Sequence, residues 1–467
     1  MMRGVGGVIA AATLLCAPSA VRAQAGEAWK PPTLTTERYN EDWSTLADPA
    51  NSRGRWTERF KYIPLDADET AYLTTGVEVR LRQESYDDNL WGSAEAPDDG
   101  YLWTRALPYA DLHVGKARAF VQPIIAYAAG VRPSAGPIDQ TRVDLLQGFA
   151  DIEADLGSGA TLRLRAGREL IGLGSERLVG TRYGPNVPLA FDGGRAILHR
   201  GRATLNLFYV RPVEAQAGSF DDRTSDRRAL WGGYATYGLG TAQGFDLYYL
   251  GYRNDRANFD QGQGRELRHT LGLRAFGTKQ DWHWNLEGVY QFGRFAGAPI
   301  RAWSVATEVG RQFADAPFAP DVTVRMNIVS GDHDPADGHL QTFNALFPKG
   351  KYFGELSPVG PYNIVNIHPG VALDLGRGVE LGLVGIFYWR ESRGDGVYDV
   401  PGQLLRSGRG STARFIGKQA EASLSWQASP ELELSGSVSL FAPGAFIRDT
   451  GPARTIRMLG LEANYRF

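Results

Sequence analysis

Cysteine is almost missing. The 467-residue chain carries one, Cys16, so no disulfide framework can hold it together. Lysine is nearly as scarce. Of 50 basic residues only Lys30, Lys61, Lys116, Lys279, Lys349, Lys351 and Lys418 are lysine, which leaves 43 arginines. Beyond the N-terminus no segment has the ~20 consecutive apolar residues of a membrane-spanning helix. A formal net charge of −2 gives no basic excess that would suit nucleic acid. Catalytic signatures are absent too. His113, His199, His269, His283, His333, His339 and His368 form no pair at a helical metal spacing, and no serine sits in a Gly-x-Ser-x-Gly elbow. We therefore read the chain as a non-enzyme that needs no cofactor.

What is plentiful is glycine and aromatic side chains. With 57 Gly, 11 Trp, 20 Tyr and 21 Phe the chain is too aromatic for a solvated coil. That composition suits an all-β protein, and in particular a transmembrane antiparallel β-barrel of the bacterial outer-membrane type. The N-terminus agrees. Arg3, an apolar stretch from Val5 to Ala17 and Val21-Arg22-Ala23 read as a secretory signal, residues 1–23, cleaved after Ala23. Cleavage removes Cys16. Residues 24–69 are then a periplasmic N-terminal extension or partial plug, and 70–467 the barrel.

Alternation carries the barrel reading. In the last segment Leu459, Leu461, Ala463, Tyr465 and Phe467 alternate with Gly460, Glu462, Asn464 and Arg466. One face is apolar and one wet, the period of a strand. Leu461, Ala463 and Tyr465 are expected on lipid, and Glu462, Asn464 and Arg466 in the lumen. In the first segment Leu73, Thr75, Val77, Val79 and Leu81 alternate with Thr74, Gly76, Glu78, Arg80 and Arg82. Short links near 115–116, 157–159, 200–202, 239–241, 278–280, 376–378 and 428–430 alternate with longer polar ones near 87–100, 131–139, 175–189, 213–225, 255–264, 331–360, 394–411 and 442–453. Short periplasmic turns and long extracellular loops mark an outer-membrane barrel, here of about 18 strands. The terminal Phe467 is the ending that barrel assembly machinery recognises.

Arginine falls on the wet parity: Arg80, Arg82, Arg163, Arg165, Arg195, Arg274, Arg325 and Arg390. Charges on the lipid face would cost several kcal/mol at the midplane, so these are expected to line the pore. Glu78, Asp151, Glu153 and Glu169 share that face. Arg168 joins the set only if a bulge at Gly167 corrects its parity. Some of these charges should form ladders that stiffen the wall, and a minority should meet solute. Guanidinium groups offer a fixed fork to a planar carboxylate. The 331–360 loop, with Phe343, Phe347, Tyr352 and Phe353, is too aromatic to stand free and should pack at the barrel mouth as a gate. Asp332, Asp334 and Asp337 alternate as in a calcium loop but lack its bidentate Glu. They read better as Asx turns than as a metal site.

Several motifs are long enough to point to a family. Gly167-Arg168-Glu169-Leu170, Arg177-Leu178-Val179-Gly180 and Phe191-Asp192-Gly193-Gly194-Arg195 resemble the alginate export family. So do Ser330-Gly331-Asp332-His333-Asp334-Pro335, the run from Thr342 to Gly354, Asn363 to Pro369, and Phe387 to Ser392. The resemblance implies an eighteen-stranded outer-membrane barrel with an Arg-rich, anion-selective pore, without fixing alginate as the solute. The expected function is passive passage of an anionic polysaccharide or related carboxylated solute. Expected partners are that solute, outer-membrane lipid and lipopolysaccharide, the assembly machinery and periplasmic export proteins. The alternatives are an uptake porin for small organic acids, or a barrel serving as a scaffold or lipid-modifying enzyme.

Overall fold

The computed structural model describes residues 30–467 except Glu69, so the expected signal peptide lies outside the described residues. From Ala71 the chain is a succession of antiparallel strands: β1 (Ala71–Asp87), β2 (Asp99–Val114), β3 (Ala117–Ala129), β4 (Arg142–Gly157), β5 (Ala160–Leu170), β6 (Ala190–Arg200), β7 (Ala203–Glu214), β8 (Arg228–Gly238), β9 (Gln243–Phe259), β10 (Gly262–Lys279), β11 (Trp282–Phe295), β12 (Ala298–Gln312), β13 (Asp321–Val329), β14 (Ile364–Gly376), β15 (Val379–Arg390), β16 (Phe415–Gln427), β17 (Leu432–Pro443) and β18 (Ile456–Arg466). Each pairs with the strand before it. β1 also pairs with β18, from Glu78 opposite Arg466 to Asp87 opposite Arg457, which closes a barrel of 18 strands.

Side-chain parity explains the wall. On β11, Trp282, Trp284, Leu286, Tyr290 and Phe292 occupy one parity, and His283, Asn285, Glu287 and Gln291 the other. The first row is exposed at Trp282, Leu286, Tyr290 and Phe292, while Asn285, Glu287 and Gln291 are buried. Aromatics near both ends of an apolar row are the interfacial belts of a membrane barrel. The last strand keeps the expected register: Leu459 and Leu461 face out, while Glu462 pairs with Arg82 across the β1–β18 seam and Asn464 is buried.

The end where β1 begins and β18 finishes has short links, such as the two-residue turn 115–116, where Gly115 takes a positive φ of 56°. The opposite end carries 171–189, 330–363 and 391–414. Long loops on one side are the outer-membrane arrangement, with the short-turn end in the periplasm. One expected link differs. The stretch 255–264 is not a loop: β9 and β10 run on to a two-residue turn at 260–261. A bulge between Asn254 and Ala257 turns Ala257 and Phe259 into the lumen, where Phe259 packs edge-on against Phe295 at 5.1 Å. The polar run Arg253–Arg256 concealed that continuation. The next link at that end, 296–297, is likewise a tight turn.

Three segments fold into the barrel. Tyr39, from the N-terminal segment, packs edge-on against Phe120 and Phe149 of the inner wall and donates its hydroxyl hydrogen to the Leu170 carbonyl at 2.8 Å. Loops 171–189 and 330–363 meet in a parallel bridge between Val179 and Phe347. They build an apolar core with Phe191, Phe208, Tyr234, Tyr248, Leu250 and Tyr252 of the wall. Toward the long-loop end of β6–β9 the inner face is therefore apolar, because loops rather than water cover it.

Candidate solute pathway

Inward arginines occupy the wall from β1 round to β15, and most are held in place. On β1 Arg82 lies among three carboxylates: Glu84, Glu355 at 2.7 Å and Glu462 at 2.7 Å. Its neighbour Arg80 donates to the backbone carbonyls of Tyr183, Gly184 and Pro185 at 2.8–3.1 Å. Arg105 of β2 binds Glu78 at 2.7 Å and shares the Tyr183 and Pro185 carbonyls. Glu78 also accepts from the Tyr183 hydroxyl. These groups anchor the tip of the 171–189 loop against β1 and β2.

Arg165 of β5 chelates Asp151 at 2.7 and 2.8 Å and reaches Glu169 at 2.9 Å, with the Phe149 ring 3.8 Å from its guanidinium carbon. Arg195 of β6 shares Glu169 at 3.1 Å. Arg274 of β10 pairs with Asp246 at 2.8 Å. Arg390 of β15 is fully buried and gives all its hydrogens to carbonyls, those of Arg393, Asp395, Ser411 and Ala413, which ties down the 391–414 loop. Two pairs stand open to water. Arg163 meets Glu153 at 2.8 Å near the short-turn end, and Arg325 of β13 meets Glu308 at 2.9 Å with 39% of its side chain exposed.

Arg168 departs from the expected lumen lining. The β4–β5 register runs unbroken from Gly148 opposite Arg168 to Asp151 opposite Arg165, so no bulge at Gly167 restores its parity. It instead chelates Asp192 at 2.8 and 3.0 Å, where β4 and β5 part company. Gly167 matters for another reason. Its φ is +137°, and a Cβ there would run into the Gly148 carbonyl. Phe343, Phe347 and Phe353 are nearly inaccessible, and Tyr352 stacks edge-on against Phe353 at 4.8 Å. They belong to the interior core rather than to the rim of the mouth. Asp332, Asp334 and Asp337 do not converge. Asp332 accepts from the Asp334 amide and Asp334 from the Ala336 amide, consecutive Asx turns. Burial and the nearby Asp395 push the Asp332 carboxyl up to about 6.

The sequence reading overlooked Lys349. Half-buried, it makes no direct ion pair among the described residues, and its backbone amide donates to the Glu176 carbonyl at 3.0 Å. Burial pushes its ammonium pKa down, Arg325 and Arg177 are close enough to lower it further, and Glu176 and Glu308 oppose the fall. Arg177 is itself paired with Glu287 at 3.0 Å. Lysine scarcity could have flagged Lys349, since Lys349 and Lys351 are two of only seven. Arg105 was hidden because its row, Trp103, Arg105, Leu107, Tyr109 and Asp111, mixes apolar and charged residues.

A closed eighteen-stranded barrel with belts of aromatic side chains and inward-folded loops is the architecture of a bacterial outer-membrane porin. Solved porins resemble it in fold at low sequence identity. OccK2 of Pseudomonas aeruginosa, solved with glucuronate, aligns with a TM-score of 0.57 at 13% identity over 87% of this chain and 99% of its own. OpdK of the same species, solved with vanillate, gives 0.56 at 11% identity over 84% and 98%. A BenF-like porin from Pseudomonas fluorescens gives 0.58 at 11% identity over 85% and 98%. The sequence profile of the alginate export family matches residues 71–460, and the chain belongs to that family. No curated protein matches it by sequence. Family and fold are those of an outer-membrane channel rather than of an enzyme.

Proposed function

We propose that the barrel is a passive, anion-preferring channel for carboxylated saccharides and related carboxylates. The observation that carries this reading is the cluster of Lys349, Arg325 and Arg177, in which Lys349 makes no direct ion pair among the described residues and has only Glu176 and Glu308 acting on it from farther off. A fixed cation in a narrow lumen of low effective dielectric attracts and orients a passing carboxylate. Most other inward arginines are neutralised, so the field at this point weighs more than the total number of arginines suggests. The two fold relatives solved with glucuronate and vanillate hold carboxylates, which supports the same solute chemistry.

Solute size follows from the loops. With 171–189 and 330–363 packed inside the wall, the lumen suits short solutes threaded past the loops. An alginate-like polymer is the second reading, favoured by family membership. Reversal potentials across a salt gradient in planar bilayers test the channel. Wild type should favour anions. Arg325→Gln with Lys349→Gln removes two cations and leaves Glu308 unpaired, so the preference should fall or invert, most at 0.01 M salt, where the Debye length is about 30 Å. No conductance at all would favour a scaffold. Conductance without anion preference would remove the electrostatic reading.

A further inference from the structure

The outer wall carries charge of its own. On β9–β12 the outward rows can be followed across four strands by register. Tyr249, Leu271, Tyr290 and Trp303 form one row. Above it, toward the long-loop end, lie Gly251, His269, Phe292 and Arg301. Above that come Arg253, Leu267, Arg294 and Pro299, with Arg265 a further step up β10. The two lower rows are the outer aromatic belt: Tyr249 donates to or accepts from His269 at 2.7 Å, and His269 stacks on Phe292 at 5.2 Å. Arg253, Arg265 and Arg294 thus stand immediately above the belt and Arg301 in its upper row, where acyl chains give way to headgroups.

They are poorly neutralised. Asp255 is the carboxylate among them, 3.4 Å from Arg265 and 3.8 Å from Arg253. The side chain of Arg294 reaches only the Gly297 carbonyl at 3.4 Å, and that of Arg301 has no partner among the described residues. Arg265, Arg294 and Arg301 are all exposed. Arg253 and Arg294 are two strands apart, about 10 Å, so one headgroup can touch both. Guanidinium groups bind phosphate bidentately, and near a membrane interface such contacts are only partly screened. Apolar rows below accept acyl chains in register with the headgroup.

From this arrangement we infer that the Arg253–Arg265–Arg294–Arg301 patch binds the phosphorylated headgroup of outer-leaflet lipopolysaccharide. Its acyl chains lie on the Leu271, Tyr290 and Trp303 surface. The patch is separate from the lumen, because each of the four residues is on the outward parity.

Detergent-purified full-length protein, titrated with lipopolysaccharide and followed by its thermal midpoint, tests the inference. Folding of each variant is checked by heat-modifiable mobility on gels. Wild type should bind and be stabilised. The quadruple variant R253Q/R265Q/R294Q/R301Q should lose at least fivefold in apparent affinity, and K418Q/R457Q, outward cations on another part of the wall, should not. Lipopolysaccharide stripped of phosphate should bind wild type at least fivefold more weakly. A smaller loss in the quadruple variant overturns the inference. So does equal binding of the dephosphorylated lipid, or competition by phosphatidylglycerol vesicles as effective as by lipopolysaccharide itself. Should the quadruple variant fail to fold, R294Q/R301Q and the dephosphorylation arm on wild type decide the matter by the same thresholds.

Discussion

Arginine behaves differently on the two faces of the wall. Inside, Arg82, Arg105, Arg165 and Arg268 are buried, and each has a carboxylate within hydrogen-bonding reach. Outside, at the long-loop rim, Arg265, Arg294 and Arg301 are exposed and weakly paired. The inner set also does what lysine cannot. Arg80 serves three carbonyls and Arg390 four, each from one side chain. A planar group with five donors in fixed directions can do this, whereas an ammonium has three donors on one atom. In a barrel whose inward loops bring backbone carbonyls against the wall, arginine is favoured as a structural tether. The excess of 43 arginines over seven lysines is thus as much an architectural signal as an electrostatic one.

The comparison breaks if a buried inner arginine proves dispensable. Arg82→Met takes the shared cation from buried Glu84 and from the part-exposed Glu355 and Glu462, of which Glu355 keeps Lys351. Removing one partner of a buried ion pair costs on the order of 3–5 kcal/mol, while Arg265→Gln on the outer rim should change stability by less than about 0.5 kcal/mol. Urea unfolding of the two variants in the same lipid reads the difference directly. Equal stabilities would mean that Arg82 is as well solvated as the rim. A smaller effect sharpens the tether argument. Arg80→Lys keeps the charge but cannot reach all three carbonyls of residues 183–185; Arg105 still serves those of Tyr183 and Pro185, so the Gly184 carbonyl is the one at risk, and a carbonyl left unsatisfied costs about 1–3 kcal/mol. Amide exchange in 180–186 should accelerate while that of β1 stays unchanged. Unaltered exchange would show that Arg105 alone holds the loop.

Legibility followed the same division. Where a strand faces lipid on one side and paired charges on the other, parity could be read residue by residue. β1 and β18 are cases, down to Glu462 inside and Leu461 outside. Where loops cover the inner face, both faces are apolar and period 2 fades. β8 places Leu230 and Tyr234 inside and Trp231 outside. Arg168 misled for a local reason: the strand stays regular through Gly167, and the charge finds Asp192 instead of the lumen. The extension of β9 past Arg253 was invisible because a bulge resets the alternation. Lys349 lies in a loop, where no periodicity says which way a side chain points. Its environment is created by β12 and β13 and by the 171–189 loop, elements far away in sequence.

The N-terminal segment offers the smallest and most specific test of how charge is managed inside the wall. Glu37 is buried, accepts from the Gly172 amide at 3.1 Å and from Asn40, and burial pushes its carboxyl up to about 7. Arg195 opposes that rise, while Glu176 and Glu169 add to it. A carboxyl whose folded value lies above the ordinary 4.5 favours the docked state only while it holds its proton. Docking is therefore undisturbed below about pH 4.5 and weakens as pH climbs toward 7. Lys61, buried against Tyr109 and the Thr75 carbonyl, is pushed by burial down to about 7, with Arg38 lowering it further and Glu41 opposing. Its penalty applies in full below that value, so it stays nearly constant between pH 5 and 6.5 and leaves Glu37 as the group that titrates. Exchange protection of residues 36–41, corrected for intrinsic rates, should fall on the order of tenfold over that window, the equivalent of about 1.4 kcal/mol. Glu37→Gln, which has no proton to lose, should flatten the dependence. If the variant keeps the wild-type slope, the titrating group is Glu176, whose carboxyl burial also raises, and Glu37 is held charged by Arg195.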